Sequence, residues 1–255
     1  ENLSVFSYML DRFCLPYFDK KLTDENESLT GNKDSVFVLR YYAENGGIAS
    51  NDAVLPEGKR PDALKEMLPY DPSNNQYTKE NSNSMYDMAA MLVPTDEAMY
   101  NYFTTGSGAV IVGTYAPGVA ITDKESLFEA LNYVPESLVA LFLKNLMQVS
   151  FTTTVRSRFD RITDDANDPL EGVDAAVTES IIANNGVIYV LNQVYGPSDY
   201  VTVAAPSLLL TNMSIVNKVI EQFGYQSFLK AKKAVYSLFL PDNSAFFYYD
   251  PVEIA

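Results

Sequence analysis

Apolar side chains near the start of the chain fall at Phe6, Met9, Leu10 and Phe13, the i, i+3, i+4, i+7 spacing that lines one face of a helix. The spacing returns far downstream at Val216, Val219, Ile220 and Phe223. The surrounding stretches, NLSVFSYMLDRFCLPYF from Asn2 and NMSIVNKVIEQFGYQSF from Asn212, align without a gap. Asn2 or Ser4 in the first, and Asn212 or Ser214 in the second, suit an N-cap. Cys14 reads as a small apolar residue within the first helix. A second pair of stretches, AMLVPTDEAM at 90–99 and SLFLPDNSAF at 237–246, shares another build: an apolar strand, a proline stop and a new helix. Pro94 and Pro241 cannot donate to a ladder, and Thr95 or Asp242 offers a cap oxygen to the helix that follows. Ala98, Met99 and Phe246 then turn the apolar side of that helix inward.

The helical stretches lie 210 positions apart and the proline stretches 147, so the first copy holds about 63 extra residues between helix and strand. This places an insertion at about 20–85. Within it SVFVLRYY at 35–42 predicts a strand, and PDALKEML at 61–68 a short helix with Pro61 in its first turn. The stretch YDPSNNQYTKENSNSMYD at 70–87 is polar and rich in asparagine, the composition of a surface loop.

Beyond Pro94, residues 95–103 predict a helix capped by Thr95 or Asp96. Residues 122–134 predict another with a capping box of Thr122 and Glu125, and 135–147 a third opened by Pro135 with Leu138, Leu141, Phe142 and Leu146 along one side. Strands are expected at 150–157, 175–183 and 186–194. Asn184, Asn185 and Gly186 suggest a hairpin entry with positive φ. The fold class is α+β.

Composition narrows the chemistry. The 255 residues are 47% hydrophobic, enough for a packed core, and carry 33 acidic against 18 basic side chains for a net charge of −15. That charge disfavours a nucleic-acid partner and an anionic membrane surface. Histidine is absent and Cys14 is the one cysteine, which removes Ser-His and Cys-His relays, histidine-ligated zinc and an internal disulfide. No cofactor is expected. The longest apolar run, 201–210, is too short to span a bilayer and contains Pro206, so no transmembrane segment is expected.

Asp164, Asp165, Asn167, Asp168 and Glu171 offer oxygens to calcium but lack the EF-hand order; the preferred reading is a solvated turn, with no metal site. Arg156 and Arg158 would share a strand face, there to pair with neighbouring acids or to receive an acidic sugar or a partner carboxylate. Tyr70, Tyr77 and Tyr86 on the polar loop suit a partner surface or a sugar ring, or else pack the loop onto its own domain. Paired carboxylates are plentiful enough to occur by chance.

The proline stretches, together with NGVIYVLNQVYGP at 185–197, resemble the fasciclin domain, an extracellular adhesion module with a T-x-F-x-P-T/D-N-x-A-F motif and an N-G-x-I-H-x-I-D-x-V-L-x-P closing strand. Pro94, Thr95, Ala98, Asn185, Gly186, Pro241, Asn243 and Phe246 stand at its structural motif positions. Tyr189 replaces the usual histidine, and the family's Tyr-His adhesion pair has no counterpart. The resemblance implies a wedge or sandwich of short strands with several packed helices over 1–197, interrupted by the insertion. It also implies a linker at 198–211 and, at 212–255, the opening of a second copy whose remainder lies outside this chain. The acidic, histidine-free form is similar to fasciclin-like surface lipoproteins of Gram-negative bacteria. It implies a non-enzymatic, extracellular recognition module for a protein or glycan, an accessory of outer-membrane uptake or transporter components, anchored through a segment outside this chain. The alternatives are a carbohydrate-active domain using paired carboxylates and a purely structural spacer.

Overall fold

A computed structural model describes residues 2–45, 66–73, 87–230 and 235–246. They form a mixed α+β protein with small sheets. Helix α1 (Ser4–Asp11) buries Val5, Phe6, Met9 and Leu10, as its periodicity predicts, and Phe13 extends the buried face past the helix end. The chain then turns into β1 (Cys14–Phe18), so Cys14 is a half-buried strand residue rather than a helical one. Helix α2 (Lys20–Thr30) is polar and buries no side chain. Asp19 caps it by accepting from the Leu22 N–H, and Gly31 closes it at φ 71°, a left-handed conformation that costs glycine little. Next comes β2 (Phe37–Tyr41), antiparallel to β1 and within the predicted strand.

A short parallel pair follows, β3 (Ala43–Asn45) with β4 (Leu68–Tyr70). Leu68 therefore opens a strand instead of ending the helix predicted over 61–68. The earlier part of that prediction, 61–65, lies outside the described residues.

The main sheet begins with β5 (Ala89–Pro94), buried along its whole length. Four helices come after it: α3 (Asp96–Thr104), α4 (Ala109–Tyr115), α5 (Lys124–Asn132) and α6 (Glu136–Leu146). Thr95 caps α3 by accepting from the Ala98 N–H, and α6 starts after Pro135, both as expected. The capping box of α5 is shifted by one residue. Asp123 accepts from the Ser126 N–H at 2.8 Å, and the Ser126 hydroxyl oxygen accepts from the Asp123 N–H at 3.1 Å, in place of Thr122 and Glu125.

Then come β6 (Met147–Gln148), α7 (Val173–Ala176), β7 (Val177–Ala183) and β8 (Gly186–Leu191), which complete the sheet in the order β6-β5-β8-β7. β5 and β8 are parallel, from Ala89 opposite Gly186 to Pro94 opposite Leu191; β6 and β7 join antiparallel at the flanks. The β7–β8 hairpin turns through Asn184 and Asn185, but neither they nor Gly186 has positive φ. Gly186 is demanded by close approach instead. A Cβ there would lie 2.5 Å from the Ala89 carbonyl oxygen on the parallel neighbour, a contact the backbone cannot relieve.

The strand predicted at 150–157 is absent. Asp87 accepts hydrogen bonds from the Thr152 N–H and hydroxyl and from the Ser150 hydroxyl, winding that segment into turns, and a 3-10 helix follows at Arg156–Arg161. Nor is 198–211 an open linker. It forms a 3-10 turn at Ser198–Tyr200 and helix α8 (Ala205–Leu209), and Tyr200, Ala205 and Leu209 join the common core. Helices α9 (Ser214–Gln222) and α10 (Gln226–Leu229) and a 3-10 turn at Asn243–Phe246 follow. In α9 only Ile220 of the predicted apolar set is fully buried; Phe223 is 68% exposed.

The N-terminus of α1 is capped from a distance. Its N-cap residue is Leu3, so neither Asn2 nor Ser4 serves. The Asp96 carboxylate, at the start of α3, accepts from the Val5 N–H at 2.8 Å and from the Ser4 hydroxyl at 2.7 Å, while the Asp96 N–H donates to the Asn2 carbonyl. At the equivalent downstream positions Asn243 does the same work: its Oδ1 accepts from the Ile215 N–H at 3.0 Å, and its Nδ2 donates to the Ser214 hydroxyl at 3.0 Å.

Replacing Asp96 by Ala should leave the first N–H groups of α1 without an acceptor and lower unfolding stability by about 1–3 kcal/mol in urea titration. Asp96→Asn, which reproduces the downstream arrangement, should lose clearly less. Equal losses in the two variants would show that charge, not the hydrogen-bond geometry, matters at this position.

Candidate functional site

Where the three sheets meet, at the Gly186 end of the β5–β8 pair, they leave a groove of about 370 Å³. Its floor is apolar, from Leu10 of α1, Ala89 and Met91 of β5, and Val187 and Ile188 of β8. Tyr41 and Tyr70 stand along it, with Ser73 and Asn185 at the polar edge. Each of these groups is held by the frame. Tyr70 is 2% exposed, and its hydroxyl donates to the Ala90 carbonyl at 2.8 Å. It packs against its own domain, one of the two readings expected for it, but from a strand rather than from a loop. Tyr77 and Tyr86 lie outside the described residues.

Tyr41 is half-buried and donates to Asp11 Oδ1 at 3.0 Å; burial, reinforced by that carboxylate, pushes its hydroxyl pKa well up, so it stays neutral. Asn185 Nδ2 donates to the Pro72 carbonyl at 3.2 Å, tying the β7–β8 turn to the insertion. Beneath the edge Asp71 is fully buried. One of its oxygens accepts from the Ser73 N–H at 2.8 Å and hydroxyl at 2.6 Å, and the other lies 3.6 Å from Arg40. Among the described residues that line the groove, none is a carboxylate.

The acidic stretch at 164–171 is not the solvated turn expected. Asp164 is 8% exposed and accepts from the Ala166 and Asp168 N–H groups, which bends the chain through Asn167 at φ 61°. Asp165 accepts from the Ser198 N–H at 2.7 Å and hydroxyl at 2.8 Å, while its own N–H donates to Asn145. Lys230, just past α10, reaches into this knot, 2.6 Å from Asp199 and 3.2 Å from Asp165. Among the described residues no group of three acidic, cysteine or histidine side chains is placed to hold a metal.

Burial raises the Asp199 carboxyl pKa despite the ammonium beside it. For Lys230, burial acts downward, but the bonds and attraction of Asp199 and Asp165 outweigh it, and the net direction is up.

Arg156 and Arg158 do not share a strand face. Both sit on the 3-10 helix, Arg156 paired with Asp174 at 2.8 Å and Arg158 donating to the Thr152 carbonyl at 2.9 Å. The structure brings neither to the groove. Of the motif positions, Pro94, Ala98 and Gly186 are buried around β5 and β8, Thr95 and Asn185 are half-buried there, and Phe246 is 45% exposed instead of turned inward. Among the groove residues that sequence reasoning missed are Tyr41 and Ile188. Their signal was the strand pattern at 35–42 and 186–194, which gives the strands but not what faces them.

Lys230→Met should leave two carboxylates facing each other in a largely buried site and cost about 3 kcal/mol at neutral pH. The Asp199 pKa is raised in the folded state, so protonation favours folding. The deficit should therefore shrink as pH falls through that raised value, and denaturant titrations at neutral and mildly acidic pH will show it. In the parent chain the Lys230 contribution is present below its ordinary pKa and is lost as alkaline pH rises through its raised folded value. No protein-family model, curated protein or solved structure matches this chain.

Proposed function

We propose that the chain is a non-enzymatic recognition module of fasciclin-like build that works at the cell surface and docks a protein partner in the groove between β2, β4 and β8. The observation that carries this reading is the groove lining, an apolar floor with two tyrosines and with its polar edge already engaged by the frame. Such a surface gains by covering apolar area, at roughly 25 cal/mol per Å², and makes few demands for new hydrogen bonds. Because the Tyr70 hydroxyl and the Asn185 amide serve internal contacts, the groove suits an apolar side chain or an extended peptide segment better than a sugar, which needs several free polar partners.

The non-enzymatic reading is supported by composition and by the thiol. The sequence has no histidine. Burial, with Asp11 and Asp71 adding to it, raises the Cys14 pKa and keeps the thiol protonated and unreactive. A carbohydrate-active site would require two acids flanking a cleft, and none of the described residues lining this groove is an acid. The setting, an outer-membrane-anchored accessory of an uptake or transporter complex, rests on the resemblance of the motif stretches to bacterial fasciclin-like lipoproteins.

Selection of a displayed peptide library against the whole chain should enrich sequences with aromatic or branched apolar residues. Binding of the enriched peptides should fall about tenfold or more in Ile188→Glu and in Tyr41→Ala. Circular dichroism should show both variants folded. A library that yields no enrichment, or peptides that bind both variants as well as the parent, would leave the chain a spacer and sink the proposal.

A further inference from the structure

The groove at β8 does not end at Ile188. A second cavity, of about 600 Å³, opens farther along the same strands, lined by Leu3 before α1, by Thr95, and by Thr178, Glu179, Ile181 and Val190. The strand register places the two cavities in line. Ile188 lines the first, and Ile181, its cross-strand partner on β7, lines the second. Val190 follows Ile188 by two positions and pairs with Glu179, so these four side chains stand on one face of the sheet. Leu10 borders the first cavity and Leu3, seven positions earlier, borders the second. A trough therefore runs between α1 and the β7–β8 hairpin. It is open along β7, the last strand of its sheet, where Ile181 is 37% exposed.

The two ends differ in chemistry. The first has an apolar floor. At the second, Glu179 is the one charged group among the described lining residues, and no described residue pairs with its carboxylate. The hydroxyls beside it are engaged, Thr95 accepting from the Ala98 N–H and Thr178 donating to the Val190 carbonyl. An exposed acid at the end of an apolar track attracts a cation, and the net charge of −15 adds to the attraction. A second copy carries the same −15 and is repelled. From Gly186 to Val190 the trough follows four steps of β8, about 13 Å at 3.3 Å per residue, a span that an extended chain lying alongside also covers in four steps. We infer that the occupant is an extended basic segment of a polypeptide partner, with a branched apolar or aromatic side chain in the first cavity and a lysine or arginine at Glu179 four positions away. The inference rests on the reading of the groove as a docking site, and adds to it the reach and the charge of what docks.

The test uses the whole chain and sets of synthetic octapeptides with isoleucine fixed at one position and lysine, glutamine or glutamate fixed four positions away, in either order. In fluorescence anisotropy the lysine set should bind the parent about fivefold more tightly than the glutamine set. Lysine moved one position nearer, where an extended chain turns it to the opposite side, should lose that gain. Glu179→Lys, at an exposed position, should keep the circular dichroism of the parent and shift the preference to the glutamate set. Ile188→Glu should abolish binding of every set. Peptides that need Ile188 but bind alike whatever their charge, or whose preference Glu179→Lys leaves unchanged, overturn this inference and leave the groove reading standing. Absence of binding by every set, or binding that Ile188→Glu leaves intact, overturns both. Dimerisation of the parent in sedimentation equilibrium that Ile188→Glu removes gives the trough to a second copy and overturns this inference alone.

Discussion

The Asp96 carboxylate joins two helix starts, and most of the described fold is arranged around that junction. One oxygen takes the Val5 N–H and the other the Ser4 hydroxyl, while Asp96 itself opens α3 directly after β5. The positive end of α1 is thereby met by a fixed negative charge, which favours its place over the sheet. Because Pro94 and Thr95 fix where β5 stops and α3 begins, the same carboxylate also sets the position of α1 relative to the buried strand. Val5, Phe6, Met9 and Leu10 then enter one core with Leu92, Leu131 and Leu143. A local motif of strand, proline and helix has become a long-range clasp.

The buried sheet shows how one close contact constrains several elements. β5 lies between β6 and β8, and its parallel partner can approach only because residue 186 has no side chain. The hairpin that delivers β8 uses an ordinary turn, and Asn185 in that turn ties to the backbone of Pro72. The groove follows from this arrangement. Three small sheets converge without filling the space between them, and the tyrosines on the two smaller ones are held by hydrogen bonds to Asp11 and to Ala90. Fixed side chains around an apolar floor lose little entropy when covered, which favours binding.

The downstream part is attached by a different kind of interaction. Lys230 shares the carboxylates of Asp165 and Asp199, and Asp165 is itself held by Ser198 at its carboxylate and by Asn145 at its N–H, so the attachment depends on a desolvated ion pair rather than on a broad apolar face. Such a pair gives a defined geometry while adding little net stability. It is consistent with the exposure of Phe223 just past α9 and of Phe239 beyond it.

What the sequence determined by itself was local. The apolar spacing at Phe6, Met9 and Leu10 predicted the buried face of α1. The Pro-Thr pair at 94–95 predicted the end of β5 and the cap of α3, and the strand-forming residues at 35–42 and 186–194 predicted strands. These outcomes depend on propensity, periodicity and caps, which act over a few residues. Tertiary structure decided the rest, because it depends on which distant groups meet. Tyr70 looked like a loop residue until Ala90 accepted its hydroxyl, and 150–157 looked like a strand until Asp87 wound it into turns. Asp164 and Asp165 looked solvated until Ser198 and Asn145 closed over them, and 198–211 looked like a linker until Tyr200 and Leu209 found the core. The groove belongs to this second class. Its lining comes from five separated stretches of chain, and no pattern within any one of them encodes the space they enclose.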